Sequence, residues 1–454
     1  MKASLIIFLF VGHIAFSQTD RGWQQLFDGK TLTGWKKMGG TAQYRVEDGA
    51  IVGITTAGSP NTFLVCEKKF PGDFILELEA KMDDTVTNSG VQFKSNHNPA
   101  ANGGKGRLYG YQFDMDPSSR RWSGGIYDEA RREWLYPVSL NQAAQIFFTP
   151  GVYHTIRIEC FGNSVRTWLD GKAVAYLVDS ITANEGLIGL QVHSISKPEL
   201  AGIKCYWKNI FIKTTDIRPA PFPPGVYVVN LQPNTLADYE KQDGWKLLFD
   251  GKTSNGWVGA YKKSFPGKGW KIENGMITVL PSSGGESING GDIVTTEQFS
   301  AFDLSFEFKL TPGANSGVKY FVTLAENNQG SAIGLEYQLL DDTLHPDAKM
   351  GLNGNRTLAS LYDLIKAEKT SRFIKQPGNW NTGRIIVYPN NHVEHYLNGV
   401  KVLEYERGSQ AFRELVAISK YKIWLHFGEA MQGYILLQDH GNEVSFRTIK
   451  IKTL

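Results

Sequence analysis

The chain is poor in the features that mark redox, membrane or nucleic-acid proteins. It has three cysteines, Cys66, Cys160 and Cys205, all in the first half of its 454 residues. Such an odd, lopsided set excludes a disulfide framework. Cys160 in "TIRIECF" and Cys205 in "GIKCYW" lie in strand-like runs, where buried thiols are expected. The formal net charge is only +3, with no basic stripe, which argues against nucleic acid as a partner. Long helical patterns are missing too, apart from a short helix expected over 360–369. After the first residues no apolar run approaches the roughly 20 residues that span a bilayer, so no transmembrane anchor is expected.

The one apolar run at the start reads as an export signal. Lys2 gives the positive start, "SLIIFLFVGHIAF" the apolar stretch, and Ala15-Phe16-Ser17 a small-x-small cleavage site. Residues 1–18 are therefore expected to be a signal peptide, and the mature protein to be periplasmic or secreted.

What is abundant is glycine, with 48 residues, and aromatic side chains, with 11 Trp and 19 Tyr. More telling is repetition. "LFDGKTLTGW" begins at Leu26 and "LFDGKTSNGW" at Leu248. "YRVEDGAIVG" is answered by "WKIENGMITV", "NSGV" at Asn88 by "NSGV" at Asn315, and "WLDGKAV" by "YLNGVKV". "YQ" and "YD" recur at Tyr111 and Tyr337, and at Tyr127 and Tyr362. "LQVH", ending at His193, is matched by "LQDH", ending at His440. The order is kept throughout, so a domain has been duplicated. The units are expected over 20–214 and 243–454, joined by a proline-rich linker over 215–242. Short alternating runs such as "DFILELEAKM" and "FDLSFEFKL", punctuated by "DG" and "NG" turns, predict an all-β fold of two tandem β-sandwich (jelly-roll) domains. Trp35 and Trp257 are then core anchors, and the repeated phrase a strand end and turn.

Strand alternation sorts the polar residues. In "YQFDMD", Gln112, Asp114 and Asp116 share a face opposite Tyr111, Phe113 and Met115. Gln92 and Lys94 of "VQFK" fall on the same open side, with Gln191 and His193 of "LQVH". That face suits a sugar-binding groove. The loop "DPSSRRWSGGIYDEARREWLYP" interleaves Arg121, Asp128, Glu129 and Arg131 with Trp122 and Tyr127, and reads as a substrate-lining loop. Aligning the copies on "YQ" puts Gln338 and Asp342 at the places of Gln112 and Asp116. Leu340 then stands for Asp114, Glu336 for Gly110, and Lys319 for Gln92. His345, His440, Tyr362 and Gln438 complete the second set.

These motifs in order resemble the family of 3-keto-α-glucoside 1,2-lyases and 3-keto-2-hydroxyglucal hydratases, also called 3-keto-disaccharide hydrolases. "LF-DGK-x-x-x-GW", "NSG-V", "LYD", "PGNWN", "VEHYLNGVKV" and "ILLQDHG…VSFRTIKI" carry the resemblance over nearly all of both units. It implies a concanavalin A-like sandwich, a 3-keto-glycoside substrate and β-elimination at C1–C2, with hydration of the glucal formed. Such chemistry needs a base, an acid and an enolate stabiliser. Asp114, Asp116 and His193 are candidates in the first unit, with Lys94 or Arg121 facing the enolate. Glu336, Asp342 and His440 are candidates in the second, with Lys319 opposite. The chain departs from the family pattern at Asp114, where a longer Glu is more usual. No cofactor or metal is expected, with a divalent ion left open. The rival readings are a two-carboxylate glycoside hydrolase and a pair of non-catalytic carbohydrate-binding modules.

Overall fold

The structure is a computed structural model describing residues 22–282, 285–326 and 331–454. The expected signal peptide lies outside these. The fold is all-β: two sandwiches in series, each a pair of antiparallel sheets around its own apolar core.

In the first unit, a nine-stranded sheet holds Phe74–Met82 between His154–Phe161 and Lys204–Lys213. Leu76, Leu78, Ala80 and Met82 point into the core, while Glu77, Glu79 and Lys81 point out. The facing sheet runs Glu133–Tyr136, Ile126–Glu129, Arg107–Met115, Ser89–Asn98, Glu185–Val192, Thr62–Cys66 and Trp35–Gly39, with Phe70–Pro71 beside Glu185–Val192. The second unit repeats the plan. Phe302–Leu310 lies between Asn381–Val387 and Val444–Thr453. The facing sheet runs Trp257–Gly259, Ile293–Phe299, Gly433–Leu437, Asn315–Thr323 and Ile333–Leu340.

The duplicated opening phrase is architecture. Asp28 Oδ1 accepts the Lys30 and Thr31 amides at 2.8 and 2.7 Å, and Asp250 Oδ1 does the same for Lys252 and Thr253. The indole of Trp35 donates to the Leu26 carbonyl at 2.8 Å, and that of Trp257 to Leu248 at 2.6 Å. Both rings are buried. A carboxylate thus closes the turn and the indole locks the strand entry onto the core.

The helix expected over 360–369 is not formed. Leu361 instead bridges to Tyr337 and Ile365, filling the place that Ile126–Glu129 takes in the first unit. A helix that alternation did not reveal spans Gln410–Ile418. Ser409 caps it through the Phe412 amide at 3.2 Å.

The segment between the units is built into both. After a stretch from Pro219 to Pro224, Val228–Asn230 pairs in parallel with Lys172–Val178 of the first unit. The helix Asp238–Gln242 then sends buried Glu240 to Lys450 of the second unit, 2.5 Å away. The units also touch directly: Phe373 packs 5.4 Å from Trp122, and Gln142 donates to Tyr396 Oη at 2.7 Å.

Trp35→Ala and Trp257→Ala should each lower unfolding free energy by about 3–5 kcal/mol, the usual cost of truncating a buried aromatic. Denaturant unfolding of the full chain measures this. A variant that unfolds at the parent's midpoint would show that its ring is not an anchor.

Candidate active site

The site is set by the register between "NSGV" and the strand beside it. In the first unit Gly90 pairs with Asp114, and Gln92 with Gln112. In the second, Gly317 pairs with Gln338, and Lys319 with Glu336. The neighbouring strand agrees. The Asp114 amide donates to Gly125 and the Gln338 amide to Ser360, at 3.0 and 3.1 Å. Gln338 therefore occupies the place of Asp114, and Glu336 that of Gln112. This overturns the alignment on "YQ" by two residues: Leu340 is not the counterpart of Asp114, nor Glu336 of Gly110. One carboxylate and one amide are kept on this strand in each copy, but they have traded places.

Each residue of "NSG" has a task. Asn88 Nδ2 donates to Asp114 Oδ2 at 2.9 Å, while Asn315 Oδ1 accepts from Gln338 Nε2 at 3.3 Å. Ser89 and Ser316 donate to the carbonyls of Gln191 and Gln438, both at 2.8 Å, pinning the next strand. A Cβ on Gly90 would lie 2.5 Å from the Gln112 side chain, and one on Gly317 2.3 Å from Glu336. Only glycine leaves room for the side chain across the pleat.

In the first unit a ladder of hydrogen bonds ends at Asp114. Ser95 Oγ donates to Gln92, Gln92 Nε2 to Gln112 at 2.7 Å, and Gln112 Nε2 to Asp114 Oδ1 at 2.8 Å. Strand alternation predicts an open face here, yet these side chains are buried. The sheet's second face is lined with polar groups that satisfy one another and is flanked by apolar Phe63, Val65, Leu108 and Leu187. Burial, then the nearby Asp116 carboxylate, push the Asp114 pKa up to about 7 against the hydrogen bonds it accepts. Asp116 itself pairs with Arg120 at 2.7 Å.

Several expected site residues lie elsewhere. Lys94 adopts a left-handed φ of 46° at a register shift between Phe93 and Asn96. This bulge turns it out of the groove face, and its charge acts instead on the buried Cys160 thiol. Arg121 is exposed, and Arg120 is the arginine at the site. The Trp122 ring is buried between Trp134 and Phe373, at the contact between units. Asp128 is bound by Arg131 and Arg132 at 2.7 and 2.6 Å on the other face of its strand. Glu129 stays on the Gln112 face, two residues beyond Tyr127, where Arg107 holds it at 2.7 Å. His193 Nδ1 bonds the Ser194 carbonyl at 2.6 Å. Tyr127 does belong to the Gln112 row and packs 5.4 Å from Trp134. Gln191 is buried with both amide atoms unpartnered.

The second unit gathers its candidates more tightly. The Lys319 ammonium lies 4.0 Å from Glu336 and 3.8 Å from Glu286, and donates to Ser331 Oγ at 2.7 Å. Burial raises the Glu336 pKa despite Lys319. Burial also pushes Glu286 upward, but Lys319, the Ser331 hydroxyl and the nearby His440 and Lys420 together leave it lowered. Glu286 accepts from Gln438 Nε2 at 2.8 Å. Its loop is pinned by Asp439, which accepts the Gly290 and Gly291 amides at 3.0 Å. His440 faces Asn315 at 3.4 Å, and its ring is 6.2 Å from that of His345. Burial, then His440, lower the His345 pKa. Tyr362 donates to Asp347 at 2.8 Å, with Lys420 4.2 Å over its ring. The Gln338 and Gln438 side-chain oxygens are buried without partners. Asp342, by contrast, is a structural group: it accepts the Leu358 amide and pairs with Lys369, both at 2.7 Å.

Sequence reasoning missed Asn88, Asn315, Arg120, Glu286 and Lys420. The two asparagines were signalled by the repeated "NSG". Glu286, in a Gly/Ser loop, and Lys420, in a segment without counterpart in the first copy, carried no signal. A possible metal cluster, His392, Glu394 and Glu404, lies apart, with ligand atoms within 4.8 Å. Lys401 already sits 3.1 and 2.6 Å from its two glutamates, so an ammonium balances its charge.

Residues 22–213 and 244–452 each match the 3-keto-alpha-glucoside-1,2-lyase-like domain. The chain belongs to this family. A relative from Bacteroides thetaiotaomicron named 3-keto-disaccharide hydrolase is 39% identical over 233 residues, covering 47% of this chain and 79% of its own length. A solved Parabacteroides distasonis structure assigned to the glycosyl hydrolases is 31% identical, over 49% of this chain and all of that one, with a TM-score of 0.43. A carbohydrate-binding module from Bacillus subtilis is 18% identical over 40% of this chain and 98% of that one, with a TM-score of 0.26. Family membership makes this a carbohydrate-active, glycosidase-like protein. Among the described residues no helix is long and apolar enough to cross a membrane.

Asp114 makes stability pH-dependent. Its folded pKa of about 7 exceeds the ordinary 3.8, so between these values the folded state holds a proton that the unfolded state has lost. The contribution is full below about pH 4 and declines as pH rises through about 7. Asp114→Asn should therefore flatten the fall in unfolding free energy between pH 4 and 7. Parallel profiles for parent and variant would overturn the assignment.

Proposed function

We propose that the protein is an exported enzyme acting on 3-keto-glycosides by β-elimination across C1–C2 and by hydration of the resulting 3-keto-2-hydroxyglucal. The observation that carries this reading is a pair of buried carboxyls, Asp114 and Glu336, raised in pKa on corresponding faces of the two units, in a family named for this lyase chemistry. The Asp114 pKa of about 7 suits a general base that must first be free of its proton and later return it, and Glu336 is raised in the same direction.

The ketone at C3 acidifies the C2 proton. Asp114 or Glu336 removes it, and the electron pair moves to the C3 oxygen as an enolate. As the enolate collapses, the C1–O bond breaks, a C1=C2 double bond forms and the ketone returns. The departing oxygen takes a proton from an acid. Water then adds across the double bond, with hydroxide at C1 and a proton at C2. In the second unit Lys319 is the enolate-facing cation, and His440 with His345 the proton donors. In the first, Asp116 and Arg120 flank the base, and the unpartnered amide of Gln191 suits a sugar hydroxyl.

Since the first site sets its base among neutral amides with Asp116 paired to Arg120, and the second sets a buried lysine against its carboxyl, the two are proposed to take different steps. The test gives the full chain, Asp114→Asn and Glu336→Gln a 3-keto glucoside while the absorbance of the conjugated glucal is followed. One variant should lose cleavage by about a hundredfold or more, and the other should let the glucal accumulate. Equal loss of the same step in both would defeat the division of labour. Cleavage of the unoxidised glucoside at the same rate would defeat elimination itself.

A further inference from the structure

A cavity of about 470 Å³ lies between the two units, and neither Asp114 nor Glu336 lines it. Trp134 and Arg132 wall it from the first unit, Tyr227 from the connector, and Lys375, Trp380 and Arg447 from the second. Its lining is cationic. Arg384 and Lys450 complete a set of five cations, and Glu307 is the one carboxylate among the described lining residues. The other counter-charges stand behind the wall: Asp303 grips Arg384 at 2.5 and 2.7 Å, Glu240 holds Lys450 at 2.5 Å, and Asp128 and Asp179 hold Arg132 at 2.6 Å. Arg447 is matched by Glu307 at 2.9 Å.

Lys375 is the exception. Its backbone is fixed by Asn381 at 3.1 and 3.0 Å, but its ammonium has no ion pair or hydrogen bond among the described residues. Lys375 is exposed, yet the atoms packed around its ammonium lower its pKa, and Arg132 and Arg447 add to the effect against Glu307. Three cations thus border one space, Arg132 and Arg447 already paired and Lys375 open to solvent and free to take an anion. Beside them Trp380 carries Arg447 4.1 Å from its ring centre, and Trp134 presents a second indole to the same space. Indoles are the usual platforms for sugar rings, having large apolar faces with a polar edge.

We propose that this inter-unit cleft binds an anionic saccharide, with a carboxylate or sulfate group of the sugar on Lys375 and Arg447 and its ring against Trp380 and Trp134. The site needs both units and the connector, and so is a property of the tandem chain rather than of either copy. It does not depend on the chemistry assigned to the two carboxyl sites.

Calorimetric titration of the full chain tests it, with digalacturonic acid and a sulfated disaccharide as probes and cellobiose as the neutral control. At least one anionic probe should bind about tenfold or more tightly than cellobiose. Lys375→Met and Trp380→Ala should each weaken that binding about tenfold while melting like the parent, and Asp114→Asn should leave it unchanged. Anionic probes that bind no better than cellobiose, or equally well to Lys375→Met, would overturn the proposal. Inorganic sulfate binding as tightly as the sulfated sugar would overturn the saccharide part and leave a simple anion site.

Discussion

Both candidate sites depend on a glycine opposite a long polar side chain. Gly90 and Gly317 stand where any Cβ would strike Gln112 or Glu336. With the space clear, that side chain can lie flat across the pleat and reach its neighbours on the same face. Asparagine before the glycine and serine between them fix the flanking strands. Three short residues therefore decide which groups meet beneath the sheet, and they are the part of the site written identically in both copies.

On that fixed frame the acid has moved by two residues, one pleat repeat or about 7 Å along the strand. The move changes the company it keeps. In the first unit Asp114 ends a chain of neutral amides beside Asp116, where burial and a like charge both favour its protonated form. In the second, Glu336 faces Lys319, which has replaced the amide of Gln92. A Gln–Gln hydrogen bond has become a Lys–Glu ion pair, and the cation offsets part of the desolvation that burial imposes on the acid. Burial raises both carboxyls, but a like charge adds to it at Asp114 while a lysine opposes it at Glu336.

The sheets, the duplication and the indole anchors were legible because each has a local signature. Alternation marks Phe74–Met82 and Phe302–Leu310, and "DG" closes the same Asp-capped turn twice. The site was half legible. The face shared by Gln92, Gln112 and Asp114 followed from period two alone, but register between copies did not. "YQ" matched letter for letter while the strands paired two residues out of step, because the core accepts Tyr111 or Phe113 against Tyr337 equally well as bulk. Lys94 was misplaced for a related reason: one residue with positive φ reverses the parity on which the face assignment rests. Glu286 is held by backbone amides folding round Asp439, a long-range contact that no local pattern encodes.

The connector bears on how the two sites act together. Its prolines suggest a spacer, yet its three paired residues extend a sheet of the first unit, and Glu240 enters the second unit to meet Lys450 between the rings of Tyr227 and Trp245. Breaking that pair would strand a buried charge, which costs more than the pair gains in place. Tyr227 adds a hydrogen bond to Ser305 at 2.9 Å and accepts one from Tyr136 Oη at its carbonyl, also at 2.9 Å. One tyrosine thus bonds to both units at once. A tether held at this many points fixes the distance and direction between the two carboxyl sites, which a loose proline spacer would not do.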